Sequence, residues 1–338
     1  MLKQDRKFLS ERVGNLEQLC KLRTVVMEEG RGRGVRLVEV DNGSGLAFTL
    51  MADRALDLYD VRYRGIPLAW LTPNGIVNPA FYEPEGVRWL RSWPGGMLTT
   101  AGFLNVGGPV NASGDDQGLH GRASHLPAEQ LSTRRFWDGD LCRLEVSGTV
   151  RHTMTFGEKL EMRRCVTCDS GANAVSVTDT IENQGYQPVP LMMLYHCNFG
   201  YPLLDAGAYL TAREHEVTPK DEAAAAGVKD WMKMEAPQPG YAEQVLIHEI
   251  PADADGFARL SLVNPGLGLK LTVAYDTAAL PYLNEWKQMG QGEYVVGLEP
   301  GNCIPTGQCD NAERGILRTL APGETVTFRI RISVEELA

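Results

Sequence analysis

From Val326 to Val334 apolar residues take every second position. Val326, Phe328, Ile330, Ile332 and Val334 alternate with Thr327, Arg329, Arg331 and Ser333. A period of two sends successive side chains to opposite sides of an extended chain, so this pattern predicts a strand with one buried and one solvated face. Leu46, Phe48 and Leu50 repeat it. So do Leu144, Val146 and Val150 around Gly148, and Leu269, Leu271, Val273 and Tyr275. Turn signals fall between such runs: Asp41-Asn42-Gly43, Arg64-Gly65, Asn264-Pro265-Gly266 and Ala321-Pro322-Gly323.

A helical period occurs near the start, where Phe8, Leu9, Val13, Leu16 and Leu19 recur at three- and four-residue spacing. It predicts one amphipathic helix, or two short ones broken at Gly14. Ala223 to Ala226 predict a short helix within a loop. The rhythm of a parallel α/β sheet is absent. The expectation is all-β: a large antiparallel sandwich over residues 26–338 as a single domain, with a helical extension over 1–25 packed on its outside.

Composition narrows the partners. With 43% hydrophobic residues among 338, the chain can bury a large core, and its 36 glycines and 19 prolines are spread as turn residues. A net charge of −10 leaves no basic face to neutralise phosphate, which argues against nucleic acid or an anionic membrane as partner. No apolar run is long enough to span a bilayer, and no apolar stretch behind the charged first ten residues suggests a secretory leader. Seven scattered cysteines suit free thiols in a reducing compartment, so a cytoplasmic location is expected. Sheet edges and the N-terminal helix could support a homodimer.

Several chemistries find no support. Cys165 and Cys168 form a Cys-x-x-Cys, but in a strand residues three apart face opposite ways, and no second cluster completes a metal site. Gly95-Gly96 and Gly107-Gly108 are pairs without a phosphate-loop context. What remains are polar residues set in apolar surroundings: His120 and Arg122 around Gly121, His196 and Asn198 within an apolar strand, Trp286 and Lys287 after Asn284-Glu285, and Glu299 at the end of Val295 to Leu298. Each also has an ordinary reading as a packed or turn residue.

Together, however, Ala52-Asp53-Arg54-Ala55-Leu56-Asp57, Pro94 to Thr100, Leu119-His120-Gly121-Arg122, Leu194 to Gly200 and Gly297 to Gly301 resemble the aldose 1-epimerase (galactose mutarotase-like) superfamily. Within it they resemble the branch labelled DUF4432. The resemblance implies a β-supersandwich and an open sugar site on one sheet face. It implies Glu299 as general base, His196 as general acid, His120 near the ring oxygen and Arg122 as a substrate contact. An Asn-Arg motif of the mutarotases has no counterpart here, and Thr99-Thr100 stands in its neighbourhood. Glu243 is the candidate for their substrate-binding aspartate, with Trp286, Lys287, Asn198 and Arg54 as further contacts.

The implied reaction opens and recloses a sugar ring by proton transfer alone, so no cofactor is expected. The substrate is a free monosaccharide or a sugar acid, the latter favoured if Arg54, Arg91, Arg122 or Lys287 converge. The rival reading is a carbohydrate-binding protein without catalysis, which would have no need of both Glu299 and His196.

Overall fold

The computed structural model describes residues 5–112 and 115–337. The alternating runs form three large antiparallel sheets. Lys21–Val26, Arg36–Asp41, Leu46–Met51, Asp57–Tyr63 and Ile66–Pro67 make a five-stranded sheet in chain order. In an eight-stranded sheet, Thr325–Glu336 lies between Leu269–Asp276 and Ala174–Asn183, and the long strands Lys159–Asp169, Leu141–Thr153 and Ala128–Asp138 follow outward. Val326, Phe328, Ile330, Ile332 and Val334 are all buried on its inner face, as their spacing predicts. Full burial of such side chains contributes roughly 1.5–3 kcal/mol each.

The third sheet carries β1 (Thr99–Phe103), β2 (Val189–Phe199), β3 (Glu216–Pro219), β4 (Gln244–Glu249), β5 (Tyr282–Met289) and β6 (Tyr294–Gly301). They lie in the spatial order β3-β4-β5-β6-β2-β1, and Arg318–Leu320 pairs with the start of β2. One apolar core joins all three sheets: Leu50 and Leu58 meet Val177 and Phe328, and Leu191, Leu283 and Leu298. Cys165 and Cys168 do face opposite ways, the first partly exposed and the second buried.

The N-terminal segment forms a helix at Arg6–Ser10 and a 3-10 turn at Leu16–Gln18. Asp5 and Asn15 cap them by accepting from the backbone of Phe8 and Glu17. The helical extension is therefore shorter than the 1–25 expected, because residues 21–25 already pair with Arg36–Asp41. Its first four residues lie outside the described part. Glu222–Ala225 forms the short loop helix, capped by Asp221. Among the described residues no helix is long and apolar enough to cross a membrane.

At the junction of the sheets sits one fully buried cation. Arg164 donates from Nε to Asp179 (2.8 Å), from Nη1 to Ala55 O (2.9 Å) and Asp57 (2.8 Å), and from Nη2 to Thr100 Oγ1 (2.8 Å) and Asp179 (2.6 Å). All of its guanidinium N–H groups are thus matched. Thr100 also binds Asp57 through its amide and hydroxyl, and Tyr195 donates to Asp179 at 2.7 Å. Burial pushes the Asp57 carboxyl up, opposed by the Arg164 charge. Burial alone would lower Arg164, but Asp179 and Asp57 outweigh it and hold the guanidinium above its ordinary value. The network clamps Thr100 of β1 and Tyr195 of β2, the neighbours of Thr99 and His196, to the other two sheets.

A candidate acid–base site on the third sheet

Directly opposed residues of antiparallel strands share a face. Asn284 is opposite Glu299, and the register of Cys197 on Leu298 and Asn198 on Gly297 sets His196 opposite Glu299. On the far side Thr99 is opposite His196. Tyr195 turns inward to Asp179, so its neighbour His196 turns outward, where its Nε2 lies 3.1 Å from Glu299 Oε1. Both are nearly buried, at 5% and 2% exposure. Glu299 Oε1 makes no hydrogen bond within the described protein.

Two indoles flank the imidazole and a third packs against both of them. Trp93 and Trp286 approach it with ring centroids at 5.1 and 5.2 Å, and Trp70 touches both, at 5.4 and 6.0 Å. Trp93 is fixed by donating to Thr99 Oγ1 at 3.0 Å, and Trp286 by donating to Glu243 at 2.9 Å. His120 closes another side, 5.7 Å from His196 and 5.1 Å from Trp89. It adopts φ 56°, which the sharp turn into Gly121 demands.

The hydrogen bonds determine where the protons sit. Asn198 Nδ2 donates to Gly96 O and His196 O, both at 2.9 Å. Its Oδ1 is therefore the acceptor facing His196 Nδ1 at 2.6 Å, and that nitrogen carries a hydrogen. A neutral His196 then presents a bare Nε2 to Glu299. Burial, with the nearby His120, lowers His196 to about 3, while the Asn198 bond opposes the shift. Burial pushes the Glu299 carboxyl well above the usual carboxylate range, with Lys220 pulling it down and Glu243 pushing it up. Burial thus works against the charged form of both groups, the imidazolium as well as the carboxylate. Burial lowers His120 to about 4, so this ring is neutral too; Nδ1 accepts from Gly107 at 3.4 Å, leaving Nε2–H as a donor.

The expected contacts divide. His120, Asn198, Trp286 and Glu243 gather around the pair, Glu243 acting through the Trp286 indole. Three expected contacts lie elsewhere. Lys287 follows Trp286 on β5 and so faces the opposite side, where its amine binds Asp230 O (3.1 Å) and Lys233 O (2.5 Å). Arg54 is fully buried, donating to Val77 O and lying 3.0 Å from His125 Nε2. Arg122 pairs with Asp115 at 3.8 Å. Asp115 lines a separate cavity of about 450 Å3, together with Leu104, Gln117, Phe156 and Gln308, and neither His196 nor Glu299 lines it. Trp70 and Trp93 belong to the site without any signal in the sequence.

A large antiparallel β-sandwich of this kind is a galactose mutarotase-like fold. The chain belongs to the family of the domain of unknown function DUF4432, which matches residues 32–334. No curated protein matches it. A Klebsiella pneumoniae protein described as a putative aldose 1-epimerase superposes with a TM-score of 0.87 at 24% identity, covering 95% of this chain and 86% of the other. A galactose mutarotase-like protein of Clostridium acetobutylicum gives 0.64 at 13% identity, with 95% and 100% coverage. Galactose 1-epimerase of Lactobacillus acidophilus gives 0.59 at 15%, with 94% and 99% coverage. These structures share the fold.

Proposed function

We propose that the protein interconverts the α and β anomers of a free aldose. The observation that carries this reading is the 3.1 Å approach of His196 Nε2 to Glu299 Oε1, a separation at which the two groups can share one proton. Ring opening needs that stoichiometry. In the form with an ionised Glu299 and a protonated His196, the carboxylate takes the C1 hydroxyl proton. The C1–O5 bond breaks, and His196 delivers its Nε2 proton to O5. After rotation about C1–C2, O5 attacks the other carbonyl face, returning its proton to His196 while Glu299 reprotonates the carbonyl oxygen. The pair ends with the proton it began with. Trp286, Trp93 and Trp70 offer apolar ring faces to sugar C–H surface, and His120 Nε2–H can donate to a ring substituent.

The pH profile tests this proton count. On the acid side the pair is lost only when His196 takes a second proton, at about 3 rather than its ordinary 6.5. On the basic side it is lost when the Glu299 carboxyl ionises, above its ordinary range. The kcat/KM for anomer exchange is therefore expected to stay level as pH falls through 6. An acid limb at an ordinary imidazole pKa would speak against the assignment. Asn198→Asp places a carboxylate against Nδ1–H, stabilises the imidazolium and should move that acid limb to higher pH.

Gly297 tests the geometry. A Cβ here would stand 2.6 Å from Glu299 Oε1 and 3.2 Å from Trp286 Cβ. Gly297→Ala must push the carboxyl aside, and a shift of about 1 Å can cost around 10²-fold in rate. Retained circular dichroism with a rate loss of that order is the expected outcome; an unchanged rate would mean that the position of the carboxyl does not matter.

A further inference from the structure

We infer that Lys220 selects the substrate, by holding an anionic group (a carboxylate or phosphate) on the end of the aldose remote from its anomeric carbon. This rests on the anomer-exchange reading above. Lys220 directly follows β3, and its amide donates to Val245 O at 2.9 Å. Pro219 is opposite Leu246, so Lys220 stands opposite Val245, which is opposite Trp286, which is opposite Gly297. One row across the sheet therefore runs from Lys220 over Trp286 to Gly297, and the Glu299 carboxyl leans onto that last residue. Lys220 thus shares the face of Glu299 and His196, three strand spacings from Gly297, about 14 Å of sheet. Trp286 stands in the row between them.

The lysine is placed to bind an anion. Its side chain is 25% exposed, and its ion pair is a loose one, 3.7 Å from Asp221 Oδ2, while the other oxygen of that carboxyl caps the loop helix. Its charge is felt at both Glu299 and His120, the two sides of the site. Glu243 shares this face, but its carboxylate accepts from Trp286, and no ion pair joins it to Lys220 among the described residues. Three other cations are committed elsewhere: Arg54 to Val77 and His125, Lys287 to Asp230 and Lys233, and Arg122 to Asp115. An ammonium on this face, on the far side of Trp286 from the acid–base pair, discriminates by charge-assisted hydrogen bonding.

The test measures anomer exchange of a neutral hexose, the matching hexuronate and the hexose 6-phosphate with the full chain. Wild type should favour one of the two anions, and which one decides between carboxylate and phosphate. In Lys220→Met the anion-to-neutral ratio of kcat/KM should fall about 10–100-fold, and Lys220→Arg should restore most of it. A neutral hexose exchanged as well as either anion, or a ratio unmoved in Lys220→Met, overturns the inference and leaves the anomer-exchange reading intact. No acceleration of any sugar by wild type overturns both.

Discussion

Glu299→Gln is expected to slow anomer exchange by about 10²–10⁴-fold while the protein stays folded, the range over which a positioned acid–base group acts. The replacement keeps the shape of the side chain and its place over Gly297 but removes the titrating carboxyl beside His196 Nε2. Stability should not suffer. The carboxyl is buried and held above its ordinary range by desolvation, so its loss removes a cost of folding. His196→Asn should produce a loss of similar size, and the double variant should fall little further than either single one, because the two groups act as a unit. Exchange rates followed by polarimetry beside urea unfolding separate the effects. A Glu299→Gln protein that exchanges anomers at the wild-type rate would end the assignment of this residue as the base.

The largest expected loss of stability lies behind the site. Arg164→Leu should lower the free energy of unfolding by roughly 3–5 kcal/mol, because it leaves Asp57 and Asp179 buried without their partner. Asp57 would then lack the charge that opposes its desolvation, and Thr100 and Tyr195 would be left as the hydrogen-bond donors to Asp57 and Asp179. Adding Asp57→Asn and Asp179→Asn to Arg164→Leu should recover part of the loss, a coupling that denaturant titration of all variants resolves. If Arg164→Leu unfolds at the wild-type urea concentration with an unchanged slope, the network does not hold the sheets together.

Much of this was legible in the chain. The strand Val326 to Val334 announced itself because one face is buried and the other wet. His196 and Asn198 stood out because both interrupt an apolar strand, and both are buried at the site for that reason. The placing of Lys287 could have been avoided from sequence alone, since consecutive strand residues face apart and Trp286 already claims the site side. Arg164 carried a similar signal. It shares the period of Leu160, Met162, Val166 and Cys168, all buried, while Arg163 is exposed. Trp70 and Trp93 gave no such warning. They lie on irregular chain between strands, where no period exists, and they reach His196 only through the fold. Lys220 was hidden in the same way, at a strand end whose partners are set by the pairing of β3 with β4.

The most direct measurement of the central claim is saturation-transfer NMR on the wild-type protein, irradiating the α-anomer H1 and reading the β-anomer signal across neutral and acidic aldoses. Enzyme-dependent transfer is expected for at least one sugar, persisting as pH is lowered through 6. Sugar-induced shifts in the protein with no transfer for any aldose would contradict it, and would make this sandwich a binding protein with an idle proton pair.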